Sequence, residues 1–354
     1  GSVLPQNSAV NGNLIFESKK LMNFINSNFK DFKLVKEYDY PLAVALEVKS
    51  NKTKIELTNF VMKYGTTAGA GNLLIPLPDE TTAAAAEGEE AKVPHSKAEL
   101  AFNFTELDFD PVAKLVTDTL NKYNKGTANY HPDFKFDLLT DIKAVKTRYR
   151  NQTLKEFKFS GDLIDNKITI RDLSAVLPGD AAASVKGDIY SDLGYLTFNL
   201  ATNFKTDEFL QLTKWLNIDL KANQDTVLRR VSATANIAGN FNKISINPFD
   251  LSIDKSTIKG EAGIINDEKF NLYLNASSDM INFDNYIKPL PKEVGEKDYA
   301  GRMAYRFSQL GFLNDVYAEL RLKLDLGIYE SIPFENVSLN GSLQKGELQI
   351  NDLT

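Results

Sequence analysis

FKFSGDLIDNKITIRDLSAVLPGDAAASVKGDI, residues 157–189, decides how this chain is read, because two later stretches repeat its plan. They are ATANIAGNFNKISINPFDLSIDKSTIKGEAGI at 233–264 and VSLNGSLQKGELQINDL at 337–353. Each carries an alternating strand that closes on a glycine, at Gly161, Gly239 and Gly341, and a second alternating strand soon after. The apolar positions of that second strand are Ile168 and Ile170, Ile244 and Ile246, and Leu348 and Ile350; a further strand and glycine follow in the first two stretches. Repetition of a β unit predicts an elongated, additive architecture, so function is sought along a surface rather than in a closed pocket.

The composition suits a folded chain able to bury a sizeable core: 354 residues, 43% hydrophobic and 25% charged. A net charge of -6 with scattered lysines argues against a nucleic-acid partner, which needs clustered cations over phosphates. Zero cysteines exclude disulfides, a thiol nucleophile and thiolate metal sites. No apolar run reaches the roughly 20 residues of a membrane helix, and no signal peptide is present. Gly1-Ser2 reads like a cloning scar, and the chain stops inside the repeated phrase at Ile350-Asn-Asp-Leu-Thr354. The expectation is an excised piece whose parent carries a membrane anchor.

Period-two alternation runs from end to end, the mark of strands with one buried and one wet face. Leu42, Val44, Leu46 and Val48 alternate, as do Leu196, Phe198 and Leu200; Val231, Ala233, Ala235 and Ile237; and Phe270, Leu272 and Leu274. The clearest case is Tyr317 to Leu326, where Leu320, Leu322, Leu324 and Leu326 are separated by Arg321, Lys323 and Asp325. Short helices are predicted after strands. Asp110-Pro111 offers an N-cap and first-turn proline, with Val112, Leu115, Val116, Leu120 and Tyr123 on one face. Thr206, Asp207 and Glu208 open a second with Phe209, Leu212 and Leu216 inward. Ser18 opens a third with Leu21, Phe24, Ile25 and Phe29, and residues 299–313 make a fourth around Met303, Phe307 and Leu310. The small, acidic and proline-rich segment 76–97 predicts a mobile insertion, and 288–299 a linker. Between 126 and 156 the pattern weakens, with Phe134, Phe136 and Leu138 as one strand.

The fold class expected is mainly β with short helices (α+β): an elongated, curved antiparallel repeat sheet forming an apolar groove. Its parts are a first β repeat unit at 1–125 carrying the insertion, a second at 126–220, and a third with the start of a further one at 221–354, all in one continuous structure.

Signals for bond-making chemistry are weak. Gly65-Thr-Thr-Ala-Gly-Ala-Gly71 offers glycines for a phosphate cradle, but Asn72-Leu-Leu-Ile-Pro76 follows as a strand where a P-loop needs Lys, Ser or Thr and a helix. The two histidines, His95 and His131, lack acidic partners at ligand spacing and read as solvated loop residues. Asp108, Asp110, Asp162 and Asp165 could supply an acid/base pair, yet they fall at turns and helix starts, where aspartate caps backbone. Asn-x-Ser/Thr triplets begin at Asn51, Asn103, Asn151, Asn275 and Asn336, as coincidence allows in an asparagine-rich chain. No catalytic residue, metal or cofactor is expected, and the chain is not read as an enzyme.

Two phrases carry a resemblance. One is the strand, glycine, strand unit ending in Ile168-Thr-Ile-Arg-Asp-Leu173 and Leu348-Gln-Ile-Asn-Asp-Leu353. The other is an alternating strand running into an acidic turn and short helix: Leu100 to Leu115, Thr197 to Leu210 and Phe270 to Ile287, with a shorter copy at Asn13 to Leu21. Together they resemble the AsmA family of bacterial envelope proteins, in the grouping of TamB-like and bridge-like lipid transfer proteins. The insertion at 76–97, the missing leading glycine near Ser50 and the missing amino-terminal membrane helix depart from that pattern.

The resemblance implies a periplasmic protein anchored in the inner membrane, holding or conducting phospholipid or another acyl lipid along an apolar β groove toward the outer membrane and supporting that membrane's integrity. Outer-membrane assembly factors are its implied protein partners. The candidate lining is Leu196, Phe198, Leu200, Val231, Ala233, Ile237, Phe270, Leu272, Leu274, Leu320, Leu322 and Leu324. The alternative expectation is a non-enzymatic scaffold with a closed β core that modulates outer-membrane protein assembly through its polar face or a strand edge.

Overall fold

The computed structural model describes residues 9–20, 39–77, 97–114, 116–117, 136–218, 227–266, 270–286, 317–344 and 347–354. These residues are mainly β, as the alternation predicts, and fall into two compact units, Gly1–Val176 with Lys186–Tyr195, and Leu177–Val185 with Leu196–Thr354. The first contains β1 (Val10–Ser18), β2 (Leu42–Ser50), β3 (Lys54–Tyr64), β4 (Thr67–Pro76), β5 (Lys97–Asp108), β6 (Asp137–Tyr149), β7 (Gln152–Ile164) and most of β8 (Lys167–Leu177). The second contains β10 (Tyr195–Thr206), apart from its first residue, then β11 (Val231–Gly239), β12 (Lys243–Ile253), β13 (Ser256–Asn266), β14 (Phe270–Asn282), β15 (Tyr317–Tyr329), β16 (Ile332–Gln344) and β17 (Glu347–Leu353). Strand β9 (Ala181–Asp192) is divided between them.

Within each unit neighbours in sequence are neighbours in the sheet, because most connections are hairpins with loops of two or three residues. Arg150-Asn151, Asp165-Asn166 and Glu330-Ser331 all have positive φ, the turn geometry whose twist matches that of the strands. The expectation of an antiparallel sheet needs one amendment: β5 pairs parallel with β6, and β14 parallel with β15. A parallel pair requires a crossover of a dozen residues or more, which the stretches 109–136 and 283–316 supply.

The repeated phrase has a structural meaning that glycine spacing does not convey. KIELTNF (54–60), KITIRDL (167–173), KISINPF (243–249) and ELQINDL (347–353) each build a β-bulge. Three residues on the bulged strand span what two span on its neighbour: Ile170 to Leu173 faces Gly161 to Phe159, Ile246 to Phe249 faces Ile237 to Ala235, and Ile350 to Leu353 faces Gly341 to Leu339. In β3, Leu57 to Phe60 faces Leu73 to Gly71. The extra residue lets two apolar side chains three positions apart share one face. It also gives Pro248, after a cis Asn247–Pro248 bond, a place where no ladder donor is needed.

Gly161 and Gly341 therefore lie inside strands, beside the bulge, rather than closing them. The register equivalent of these two is Ile237, not Gly239, which ends β11 with φ of 139°.

Glycine has a packing role in the 65–71 segment, which forms a turn and β4 as the strand reading expects. A Cβ on Gly71 would come within 2.3 Å of both the Phe102 ring and the Ala101 carbonyl oxygen, so the ring and the backbone of β5 fill the space a side chain would take. Phe102 is 4% exposed and meets Phe60 edge-on at 5.4 Å.

Helix expectations are corrected in part. Residues 110–114 and 116–117 are helical, but Val112 and Val116 are 40% and 49% exposed, so that stripe is not buried where it is described. A short helix forms at Phe209–Trp215 with Leu212 buried and Phe209 against Phe204, whereas Leu216 lies past its end and is 37% exposed. Phe136 is 49% exposed just ahead of β6, whose inward positions begin at Leu138 instead. Ser18 is the last residue of β1; the stripe Leu21, Phe24, Ile25 and Phe29 expected after it, the helix expected at 299–313, most of the insertion, the linker at 288–299, and Leu115, Leu120, Tyr123, Phe134, His95 and His131 lie outside the described residues.

Gly71→Val should destabilise the first unit by about 1–3 kcal/mol through overpacking, read by urea unfolding. Pairing it with Phe102→Ala should cost less than the sum of the two single changes, since one void accepts the other's bulk.

Candidate functional site

Register places the expected lining residues of the second unit in rows across its strands. One row runs Phe198, Gly239, Ile244, Ile264, Leu272, Ala318, Leu343, Leu348. The next runs Leu200, Ile237, Ile246, Ala262, Leu274, Leu320, Gly341, Ile350, and a third Thr202, Ala235, Phe249, Gly260, Ala276, Leu322, Leu339, Leu353. The fourth runs Phe204, Ala233, Leu251, Ile258, Ser278, Leu324, Val337, and Thr206, Val231, Ile253 and Ser256 close the face at one end. Leu196 stands one pleat before Phe198 on β10, and Phe270 opens β14 opposite Asn266.

Eleven of the twelve expected residues thus extend or occupy these rows, and Phe270 stands at their margin. The sequence reading missed the contributions of Phe249, Leu251, Ile253, Ile258, Val337 and Leu339. The signal that could have found those on β12 was the three-residue step from Ile246 to Phe249, which breaks period two at the bulge.

The exposure of this face is its defining property. Of the expected residues Leu196, Phe198, Leu200, Ala233, Ile237, Leu272, Leu274, Leu320, Leu322 and Leu324 are half-buried and Val231, at 5% exposed, is buried, as are Ala276, Ala318, Leu343, Thr206, Ser256 and Ser278 in the same rows. The residues between them, including Asn199, Asn203, Asn275, Ser277, Arg321, Lys323 and Asp325, are exposed. Among the described residues the largest side chains that are fully buried are two threonines, Thr147 and Thr206. A sealed sandwich of this size would bury many more leucines and phenylalanines than Phe102, Leu107, Leu154, Leu212 and Leu343, the ones buried among the described residues.

The first unit repeats the arrangement. Its rows include Phe60, Gly71, Phe102, Ile142, Phe159, Leu173, and Leu57, Leu73, Leu100, Thr140, Gly161, Ile170.

The acidic positions act as backbone clamps. Asp108 is buried, pairs with Arg148 and accepts the Asp110 N–H at 3.3 Å. Asp110 accepts the Arg150 N–H at 3.0 Å in the β6–β7 turn, and Asp284 accepts the Glu330 and Ser331 N–H groups at 2.6 and 2.8 Å in the β15–β16 turn. Asp137 receives the Asp165 N–H at 3.2 Å. Thus each crossover start is tied to the next hairpin, the capping role expected of aspartate at turns. Asp108 and Asp162 do not converge. Asp108 shares a row with Thr153 and Asp162 lies nine residues further along β7, about 30 Å away at strand rise. Among the described residues no cluster of His, Asp or Glu is arranged to hold a metal.

The wet face carries cross-strand ion pairs: Lys158 with Asp172 at 3.0 Å, Lys167 with Asp188 at 2.9 Å, and Lys259 with Asp250 at 2.9 Å. The hydrogen bond from Lys158 holds Asp172 below the ordinary carboxylate range; those from Lys167 and Thr169 do the same for Asp188, and the Thr257 N–H does so for Asp279. A depressed folded-state value adds stability that is complete above the unfolded carboxylate's pKa, about 3.9, and is lost as pH falls through the lowered value. Stability in urea should therefore decline below about pH 4. An Asp172→Asn, Asp188→Asn double variant should be less stable at neutral pH and show a shallower acid decline.

No family model, curated protein or solved structure matches this chain.

Proposed function

We propose that this chain holds or conducts acyl lipid along the half-buried apolar rows, as a periplasmic segment of an AsmA-like envelope protein working between inner and outer membrane. The observation that carries the reading is the half exposure of successive apolar rows on one side of strands whose other side is charged. Hydrocarbon tails laid on that side remove their own apolar surface and the protein's from water, at about 0.8 kcal/mol per methylene. Two tails carried bare through water would cost tens of kcal/mol, so a continuous apolar path lowers the barrier to movement. Rows of similar Leu, Ile, Val and Phe contacts suit sliding, since no single position holds a tail much more tightly than the next. The role is non-enzymatic, with polar headgroups left in water at the margin and no cofactor required.

Organic extraction of the purified chain should yield acyl lipid by mass spectrometry, and the chain should take up labelled phospholipid from vesicles. Leu322→Glu should lower uptake about tenfold or more, because a carboxylate replaces a contact worth at least about 1.4 kcal/mol. Lys323→Glu, one position on and facing the other way, should leave uptake unchanged, with circular dichroism confirming that both variants fold. Absence of lipid from the extract together with failure of uptake would remove this reading.

A further inference from the structure

Each unit has a concavity at its parallel strand pair, opening among the side chains that alternate with the apolar rows. It measures about 390 Å³ in the first unit and about 770 Å³ in the second. The two correspond position by position. β6 and β15 have 13 residues each, as do β7 and β16, so Asp141 matches Arg321 and Asp162 matches Ser342. Arg171 and Asn351 are the fifth residues of KITIRDL and ELQINDL, while Glu99 and Tyr273 stand beside the matching Leu139 and Glu319.

In the first unit these side chains satisfy one another. Arg171 reaches Asp162 at 3.3 Å and Asp141 at 3.6 Å. In the second unit Ser342 and Arg321 replace the carboxylates and Asn351 replaces the guanidinium, so that ion cluster has no counterpart and the concavity is about twice as large.

Tyr273, in place of Glu99, lies down on the sheet. A Cβ on Gly263, directly opposite on β13, would collide with the ring, and the hydroxyl comes within 3.4 Å of Ser245 Oγ on β12. A ring held against backbone on one side has its other face to offer, and Tyr273 is half-buried, as that placement requires. Register sets Glu319 and Ser342 in the same row as Tyr273 and puts Arg321 and Asn340 in the next, with Asn351 on β17. Strands about 4.8 Å apart and same-face residues about 6.7 Å apart turn these groups into a grid of donors and acceptors beside a flat aromatic surface.

We propose that this concavity binds a segment of neutral carbohydrate chain, with one sugar ring stacked on Tyr273 and neighbouring hydroxyls paired with Arg321, Asn340, Ser342 and Asn351. A sugar matches both parts of the wall. Its axial C–H bonds carry partial positive charge and meet the negative face of the aromatic ring, while its hydroxyls both donate and accept, as amide, hydroxyl, guanidinium and carboxylate neighbours together require. Tyrosine supplies rigid contact at low entropic cost, and serine and asparagine supply adaptable hydrogen bonds, without any charge on the ligand. The site lies on the opposite side of the strands from the apolar rows and is independent of the lipid-holding reading.

Isothermal titration of the whole chain with cellotetraose and with the tetramer of N-acetylglucosamine tests the assignment. At least one should bind saturably at millimolar concentration or below. Tyr273→Ala should weaken that binding about tenfold, whereas Tyr273→Phe should keep it, because the ring rather than the hydroxyl carries the contact. An Arg321→Asp, Ser342→Asp, Asn351→Arg variant rebuilds the first unit's ion cluster in the second and should abolish binding. Urea midpoints establish that each variant folds. Saturable binding of neither tetrasaccharide overturns the proposal, as does binding that survives Tyr273→Ala or the rebuilt cluster. Equal binding of an extended peptide of serine and asparagine assigns the face to polypeptide and overturns it too. Uptake of labelled lipid by Tyr273→Ala should stay at the wild-type level, so the two sites stand or fall separately.

Discussion

The structure depends on a hydrophobic face that its own described side chains leave half open to water. An ordinary β domain lays a second layer over such a face and removes leucine and phenylalanine from solvent altogether. Here Phe198, Leu200, Leu274, Leu320 and Leu322 are neither sealed nor free, while the opposite face of the same unit carries Lys259 with Asp250. The charged side fixes which way the strands face, since a one-residue slip would turn Arg321 and Lys323 into the apolar rows. Sidedness is thus enforced from both surfaces of the same strands.

The bulges preserve that sidedness over distance. Strict alternation through a long strand accumulates twist, and four copies of the bulge phrase increase local twist while returning the next apolar residue to the same face. Phe60, Leu173, Phe249 and Leu353 all stand at the position after the extra residue, and small residues face two of them, Gly71 opposite Phe60 and Gly260 opposite Phe249. The aspartate clamps at Asp110 and Asp284 complete the unit by tying a crossover to the hairpin that follows it. Asp108 and Asp110, two of the carboxylates that the sequence offers for catalysis, are engaged in this work.

Much of this was legible in residues close together in the chain. The spacing of Leu320, Leu322 and Leu324 gave both the strand and its face, because side chains alternate with the pleat and nothing distant is needed to decide it. The link between Ile168-Thr-Ile-Arg-Asp-Leu173 and Leu348-Gln-Ile-Asn-Asp-Leu353 also held, though for the bulge rather than for the glycine before it. The reading failed where phase changed within a strand. Phe249, Leu251 and Ile253 fell out of the expected lining after the step at Asn247-Pro248, and Val112 and Val116 formed a helical stripe with no buried surface to meet in the described structure.

By itself, the amino-acid sequence determined strand character, the wet and dry sides, and the repeated unit, since each follows from the identity of residues within a few positions. Only the tertiary structure decided which residues align into rows, that β5 and β14 are followed by parallel neighbours, and that Tyr273, Arg321 and Ser342 line one concavity. Those facts depend on hairpin register and on crossovers tens of residues long, where hydrogen bonds between distant strands set the geometry and local preference has no say.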